Sequence, residues 1–168
     1  MTFAPRTWVV GEVVSAAIMN QEIRDQFNTM FSAWTTYTPT WSASTTNPSL
    51  GNGTLAGRYL KIGRTVICHI NLTTGSTTTY GSGNYNFTLP FQAANAGASY
   101  VGLAHLLGTN RWIGHIVISP NATSCSAFFQ TYQSSVADTR ALFLTQVLPE
   151  SHAAGDQVRL TFVYEAAS

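Results

Sequence analysis

At 168 residues the chain has room for one compact domain with a short appendage, and for a core of real size. Charged residues make up only 9% of it, against roughly 25% in ordinary soluble domains, while Thr and Ser number 23 and 15, so its surface is hydroxylic rather than ionic. With 8 Lys and Arg against 7 Asp and Glu, scattered rather than clustered, it has no field to draw a nucleic acid or an anionic membrane, and the reading is no nucleic acid and no membrane as partner.

The first residues, MTFAPRTWVVGEVV, lack a basic region followed by an apolar core and a small-residue cleavage site. No apolar run approaches the ~20 residues that span a bilayer. The expectation is a chain made and kept in a cytoplasm. Residues 15–34, SAAIMNQEIRDQFNTMFSAW, then read as a helix. Ser15 is placed to N-cap, no Pro or Gly interrupts, and the β-branched residues and Pro39 of TTYTPT end the run. Ile18 stands where a capping box would have Glu or Gln.

Along that helix Ala16, Asn20, Ile23, Phe27, Met30 and Trp34 alternate steps of four and three, which makes one seam suited to packing against copies of itself. Asn20 is its polar member, a residue type that fixes register because only a matching polar partner satisfies it. The seam is shorter than a sustained coiled coil requires, and Ile18, Met19 and Phe31 place apolar groups on other faces. Self-association, docking on the domain that follows and docking on another protein stay open, with the first preferred.

From residue 37 the period changes to short β-rich runs separated by Gly, Asn, Pro and Ser clusters. The expected strands are YTPTWSAS, LAGRYLKIG, TVICHINLTT, NYNFTLP, YVGLAHLLG, RWIGHIVIS, CSAFFQTY, ALFLTQV and QVRLTFVYEA. Val66, Cys68, Ile70 and Leu72 alternate with Ile67, His69 and Asn71, and Val158, Leu160, Phe162 and Tyr164 alternate with Arg159, Thr161 and Val163, as in half-buried antiparallel strands. With no helices for parallel crossovers, the fold expected is all-β with an N-terminal helix, its head an antiparallel jelly-roll-like sandwich, with a plain Greek-key sandwich second. The division expected is an arm and helix at 1–36 and a head at 37–168. YVGLAHLLG and RWIGHIVIS are apolar on both faces, so something must cover the second face. Subunits packed around an axis are preferred over a carboxy-terminal segment folded across it.

Sites for chemistry are sparse. Cys68 and Cys125 are 57 residues apart with no metal-ligand spacing and read as two buried thiols. None of His69, His105, His115 and His152 is read as part of a metal-ligand spacing, so no metal and no cofactor is expected. There is no G-x-S-x-G, S-x-x-K or H-E-x-x-H, and GSGNYNF precedes a strand, so it reads as a hairpin turn and not a phosphate cradle. A pair of facing carboxylates distant in the chain is the one hydrolytic arrangement left open. Recognition by surface remains, with Tyr80, Tyr85, Trp112 and Tyr132, and Trp41 beside them, as candidate ligand-contact aromatics near turns and strand ends.

The words PTW, LGNGTLAGRY, KIGRTV and YGSGNYNFTLP resemble a module of tail-fibre, tail-tip and other minor virion proteins of bacteriophages, especially those of actinobacteria. The leader, W-x-x-G-E-x-V at 8–14 followed by N-x-x-I-R-D at 20–25, is similar to the segment before many such domains, and AGDQVRLTFVYEA is similar to the closing strand of their heads. The resemblance implies a virion protein without enzymatic activity: a homotrimer joined to other virion proteins through its N-terminal arm, with a head for attachment to a host-surface glycan. A capsid decoration or head-fibre protein and a tail-associated glycan hydrolase are the alternatives. Read physically, Gly51, Asn52 and Gly53 make a tight turn, Arg58 and Tyr59 lie on the strand after it, and Gly63 with Arg64 makes the next turn. Arg58 is expected to clamp the turn or a neighbouring chain.

Overall fold

The computed structural model describes residues 7–133 and 138–167. Its elements are α1 (Ala16–Met19), a π-helical turn (Asn20–Arg24), α2 (Asp25–Phe31), then β1 (Thr35–Tyr37), β2 (Trp41–Ala43), β3 (Thr54–Ile62), β4 (Thr65–Thr73), β5 (Tyr85–Thr88), β6 (Tyr100–Leu107), β7 (Arg111–Ile118), β8 (Ser124–Gln133), β9 (Asp138–Phe143) and β10 (Gln157–Glu165). The expected all-β antiparallel head behind one N-terminal helical segment is what forms. YTPTWSAS divides into β1 and β2 at Pro39, which has no N–H to give a ladder.

The strands make one sheet in the order β1-β3-β4-β10-β6-β7-β8-β5-β2, with β9 on β8. β1 and β2 lie at opposite ends of that order, yet only residues 38–40 separate them in the chain, so the sheet curls until its edges meet. Thr88 N donates to Thr40 O at 3.1 Å, Thr40 N to Thr88 Oγ1 at 2.8 Å, and Tyr37 Oη to Thr88 O at 3.3 Å. The two layers of the head are the two sides of this curl.

The core lies inside it. Val66, Cys68, Ile70 and Leu72 of β4 stand beside Val158, Leu160, Phe162 and Tyr164 of β10, paired as Cys68 with Phe162 and Ile70 with Leu160, and all eight are buried. Ala104, Leu106, Ile116, Ile118, Ala127, Phe129, Tyr85 and Phe87 belong to the same cluster. Each large side chain so buried contributes roughly 1.5–3 kcal/mol. β3 and β4 join through Gly63 and Arg64, with Ile62 paired to Thr65. Gly63 has φ +58° and Arg64 does not share the positive φ, the pattern of a type II′ hairpin.

Four details differ from the sequence expectation. The helix stops at Phe31, with Ser32 extended at ψ 149°, so Trp34 lies outside it. Its middle is π-helical, the Asp25 N–H reaching back to Asn20 O. GSGNYNF is not a hairpin: Ser82 pairs with Thr46 instead, and β5 pairs with β2 and β8 rather than with the preceding strand. Ser15 does cap, accepting from Ile18 N at 3.3 Å. Thr35 and Thr36, placed in the N-terminal arm by the sequence, pair with Tyr59 and Arg58. Among the described residues no helix is long and apolar enough to cross a membrane.

Candidate functional site

β1 pairs antiparallel with the middle of β3, Thr35 with Tyr59 and Tyr37 with Gly57, so the helix enters from the end of the head where β3 finishes, and the Gly51-Asn52-Gly53 turn lies at the far end. Gly51 has φ +58° and Gly53 N closes the turn on Leu50 O at 3.0 Å. Asn52 then ties this turn to the TTGSTT loop. Its Oδ1 accepts from Thr77 N and Thr77 Oγ1, both at 3.0 Å, and its Nδ2 donates to Ser76 Oγ at 3.1 Å. The motif therefore holds two tip loops together.

Arg58 points outward from β3, and its partner within the chain is Trp34: the guanidinium lies 5.0 Å from the indole centroid. Trp34 stacks on His69 at 4.7 Å, and His69 Nδ1 is 3.0 Å from Thr161 Oγ1. Burial, and then the Arg58 charge, lower the His69 pKa below the ordinary histidine value, because both disfavour a second cation there. Tyr59 faces the other way, its ring edge-on to Tyr37 at 5.9 Å and to Phe91 at 5.1 Å.

Register extends this site across the sheet. Thr36, Arg58, His69, Thr161, Leu103, His115, Phe128 and Phe143 are successive cross-strand partners from β1 to β9. At the far end His115 stacks on Phe128 at 5.9 Å, and Phe128 meets Phe143 at 4.3 Å. Between the two ring clusters Leu103 is 67% exposed and Ile113 79%, with Val101 and Val163 also open. His105 and Arg159 are direct partners beside them. Leu103, His105, Ile113, Arg159 and Thr161 line one shallow depression. Among the described residues the carboxy-terminal segment runs along the rim rather than across this face, Ala166 N bonding Arg64 O and Ala167 N bonding Gln92 O.

The helix presents a second open apolar surface. Ile23, Phe27 and Met30 line a groove with Glu22 and Gln26, and Phe27 is 57% exposed. Of the expected oligomerisation residues, Ile23, Phe27 and Met30 share this surface, Asn20 opens the π turn, and Trp34 is on the head.

Of the candidate contact aromatics, Tyr85 is withdrawn: it is 1% exposed in the core, its hydroxyl donating to Tyr80 O at 2.7 Å. Trp41 is buried as well, and Trp112 and Tyr80 are half-buried against the core. Tyr132 alone of the set is largely open. Cys68 and Cys125 are free and buried, as read. Among the described residues no group of three His, Cys, Asp or Glu could hold a metal.

A clip at the far end has no signature in the sequence. Glu150 accepts from Asn110 Nδ2 at 2.9 Å and Asn110 N at 3.2 Å, while Asp156 Oδ2 accepts from Ala153 N at 2.8 Å and lies 3.5 Å from His152 Nδ1. The two carboxylates flank Gly108, where a Cβ would overlap Glu150 and sit 3.3 Å from Asp156 Oδ2. Burial raises the Glu150 pKa, but the Asn110 and Thr109 hydrogen bonds outweigh it and hold the carboxylate below its ordinary value. An acid held ionised is a poor proton donor; Glu150 pins the 144–156 loop to the β6–β7 hairpin through Asn110, and the Asp156 carboxylate is engaged within that loop.

No family model matches the chain, and no solved structure matches it. The chain is similar to the Mu-like prophage FluMu defective tail fiber protein of Haemophilus influenzae, with 30% identity over 132 residues. That stretch is 77% of this chain and 20% of the relative, so the chain spans about a fifth of the length of the relative it matches.

Proposed function

We propose that this chain is a structural, non-enzymatic part of a phage virion, a tail-fibre type protein that forms a homotrimer and carries its β head to the host surface, where it attaches to a glycan. The observation that carries the reading is the likeness, over 77% of the chain, to a tail fiber protein. Geometry supports it: the head leaves Leu103, Ile113, Val101 and Val163 open on one face, more contiguous apolar surface than a monomer gains by exposing. The N-terminal arm, with Val9, Val10 and Val13 open, suits attachment to other virion proteins.

The test is competition. Soluble protein, added to host cells before phage, is expected to reduce adsorption, and antibody against it is expected to label the tail. Label on the capsid instead would assign the decoration or head-fibre role. Release of reducing ends from host cell-wall polysaccharide, lost in Glu150→Gln, would overturn the non-enzymatic reading in favour of a hydrolase.

A further inference from the structure

We infer that in the assembly the helix of one copy docks on the outward sheet face of the next copy, head to tail around the axis, instead of packing on the other helices. This rests on the self-association just proposed.

The helix is ill-suited to a coil of its own. Its helical stretch runs only from Ala16 to Phe31, about two heptads where three to four are needed. The π turn also rephases it: an i→i+5 bond from Asp25 to Asn20 winds the chain less per residue. Residues four apart then fall nearly in line, which aligns Met19, Ile23 and Phe27 and swings Asn20 off the stripe. The polar residue that would set register between helices has left the seam.

The sheet face supplies what the stripe lacks. Leu103 and Ile113 are open there while Ile23, Phe27 and Met30 are open on the helix, so within one chain neither surface covers the other. Their charges are complementary. Glu22 borders the helical groove, and Arg159 borders the depression on the sheet. That depression has no carboxylate of its own. Trp34, held between Arg58 and His69, fixes the root of the helix at the β3 side of the same sheet, and α2 lies against β3. A contact between two different surfaces repeats from copy to copy and closes into a ring when the rotation allows.

Mixing two variants of the full chain tests this. Ile23→Ser with Phe27→Ser disables the helix, and Leu103→Ser with Ile113→Ser disables the face; all four residues are exposed, so folding is retained and is checked by circular dichroism. Each variant alone is expected at one chain mass by light scattering, and the mixture at two, because one intact helix meets one intact face. A mixture that stays at one chain mass overturns the inference. So does a face variant that keeps the wild-type mass, which means helix on helix, or a helix variant that keeps it, which means sheet on sheet. Wild type at one chain mass would bring down the self-association reading itself. Glu22→Lys and Arg159→Glu are each expected to weaken association about tenfold and to restore it in combination; failure of the pair to restore it argues against this docking.

Discussion

Trp34 and His69 stack with ring centroids 4.7 Å apart and planes 30° from parallel, and the Arg58 guanidinium sits on the same indole at 5.0 Å. A residue that reads as the last member of a helical seam is the first anchor of the chain on its head. Ring stacking contributes about 0.5–1.5 kcal/mol and an exposed cation on an indole about 0.5–1 kcal/mol. Trp34→Ala is therefore expected to cost about 1–2 kcal/mol in urea unfolding, and Arg58→Ala about half of that. If Arg58→Ala cost nothing, the guanidinium would be solvated rather than bound to the ring.

Gly57 marks a close approach rather than a turn, since the Tyr37 ring occupies the space its Cβ would need. Gly57→Ala forces either the ring or β1 to move, at about 1–3 kcal/mol by the cost of overpacking. In a Tyr37→Ala background the same substitution should cost almost nothing, because the obstacle is gone. Additive effects in that double-mutant cycle would show that the strain lies elsewhere.

The long central strands were legible because each has one face in a dry core, and a period of two survives in the sequence wherever that is so. Val66, Cys68, Ile70 and Leu72 show it plainly. The apolar outward face of β6 and β7 was legible for the same reason, as an excess that one domain could not bury. The curl into a single sheet was not, because it depends on register summed over many strands and on the edge switch at Pro39. Nor was the π turn, which rests on one altered backbone bond between Asn20 and Asp25 and has no composition signature. Tyr85 looked like a turn aromatic because it borders GSGN; its burial follows from β5 lying between β2 and β8. Glu150 and Asp156 were invisible as a pair because the point they share, Gly108, lies more than forty residues earlier in the chain.

Asn52 is the keystone of the far tip in a testable sense. Asn52→Ala removes the acceptor for Thr77 N and Thr77 Oγ1 and the donor to Ser76. With water able to replace those partners, the net cost is expected to be about 1 kcal/mol. Faster amide exchange confined to residues 50–53 and 75–79 would accompany it, whereas a global rise in exchange would mean that the two loops are part of the main folding unit.

The thiols offer a chemical check on the core. Burial pushes the Cys68 thiol up to about 11, with the Tyr37 hydroxyl opposing slightly, and burial with the nearby Cys68 pushes Cys125 up to about 12. A thiol that stays protonated and inaccessible does not attack a disulfide reagent. The folded protein is expected to show no reactive thiol at pH 8 and two after unfolding in guanidinium. One fast thiol in the native state would mean that the curl opens locally.

His152 is, with His69, one of two histidines whose lowered pKa weakens folding toward acid. Its side chain is 2% exposed and its ring stacks on Tyr80 at 5.7 Å and Tyr85 at 6.0 Å. Burial lowers its pKa below the ordinary value of 6.5, opposed by the charges of Asp156 and Glu150 and by the Thr145 carbonyl. The unfolded chain then takes up a proton that the folded chain resists, so His152 favours folding above about pH 6.5 and that advantage shrinks as the pH falls below it. Glu150 acts in the same direction in a lower window, beginning near its ordinary value of 4.5, because its folded pKa is also depressed. Unfolding free energies measured in urea from pH 8 to pH 5 should fall toward acid, and His152→Gln, though less stable at pH 8, should show a flatter profile across that range. An unchanged slope in His152→Gln would assign the acid sensitivity to another group.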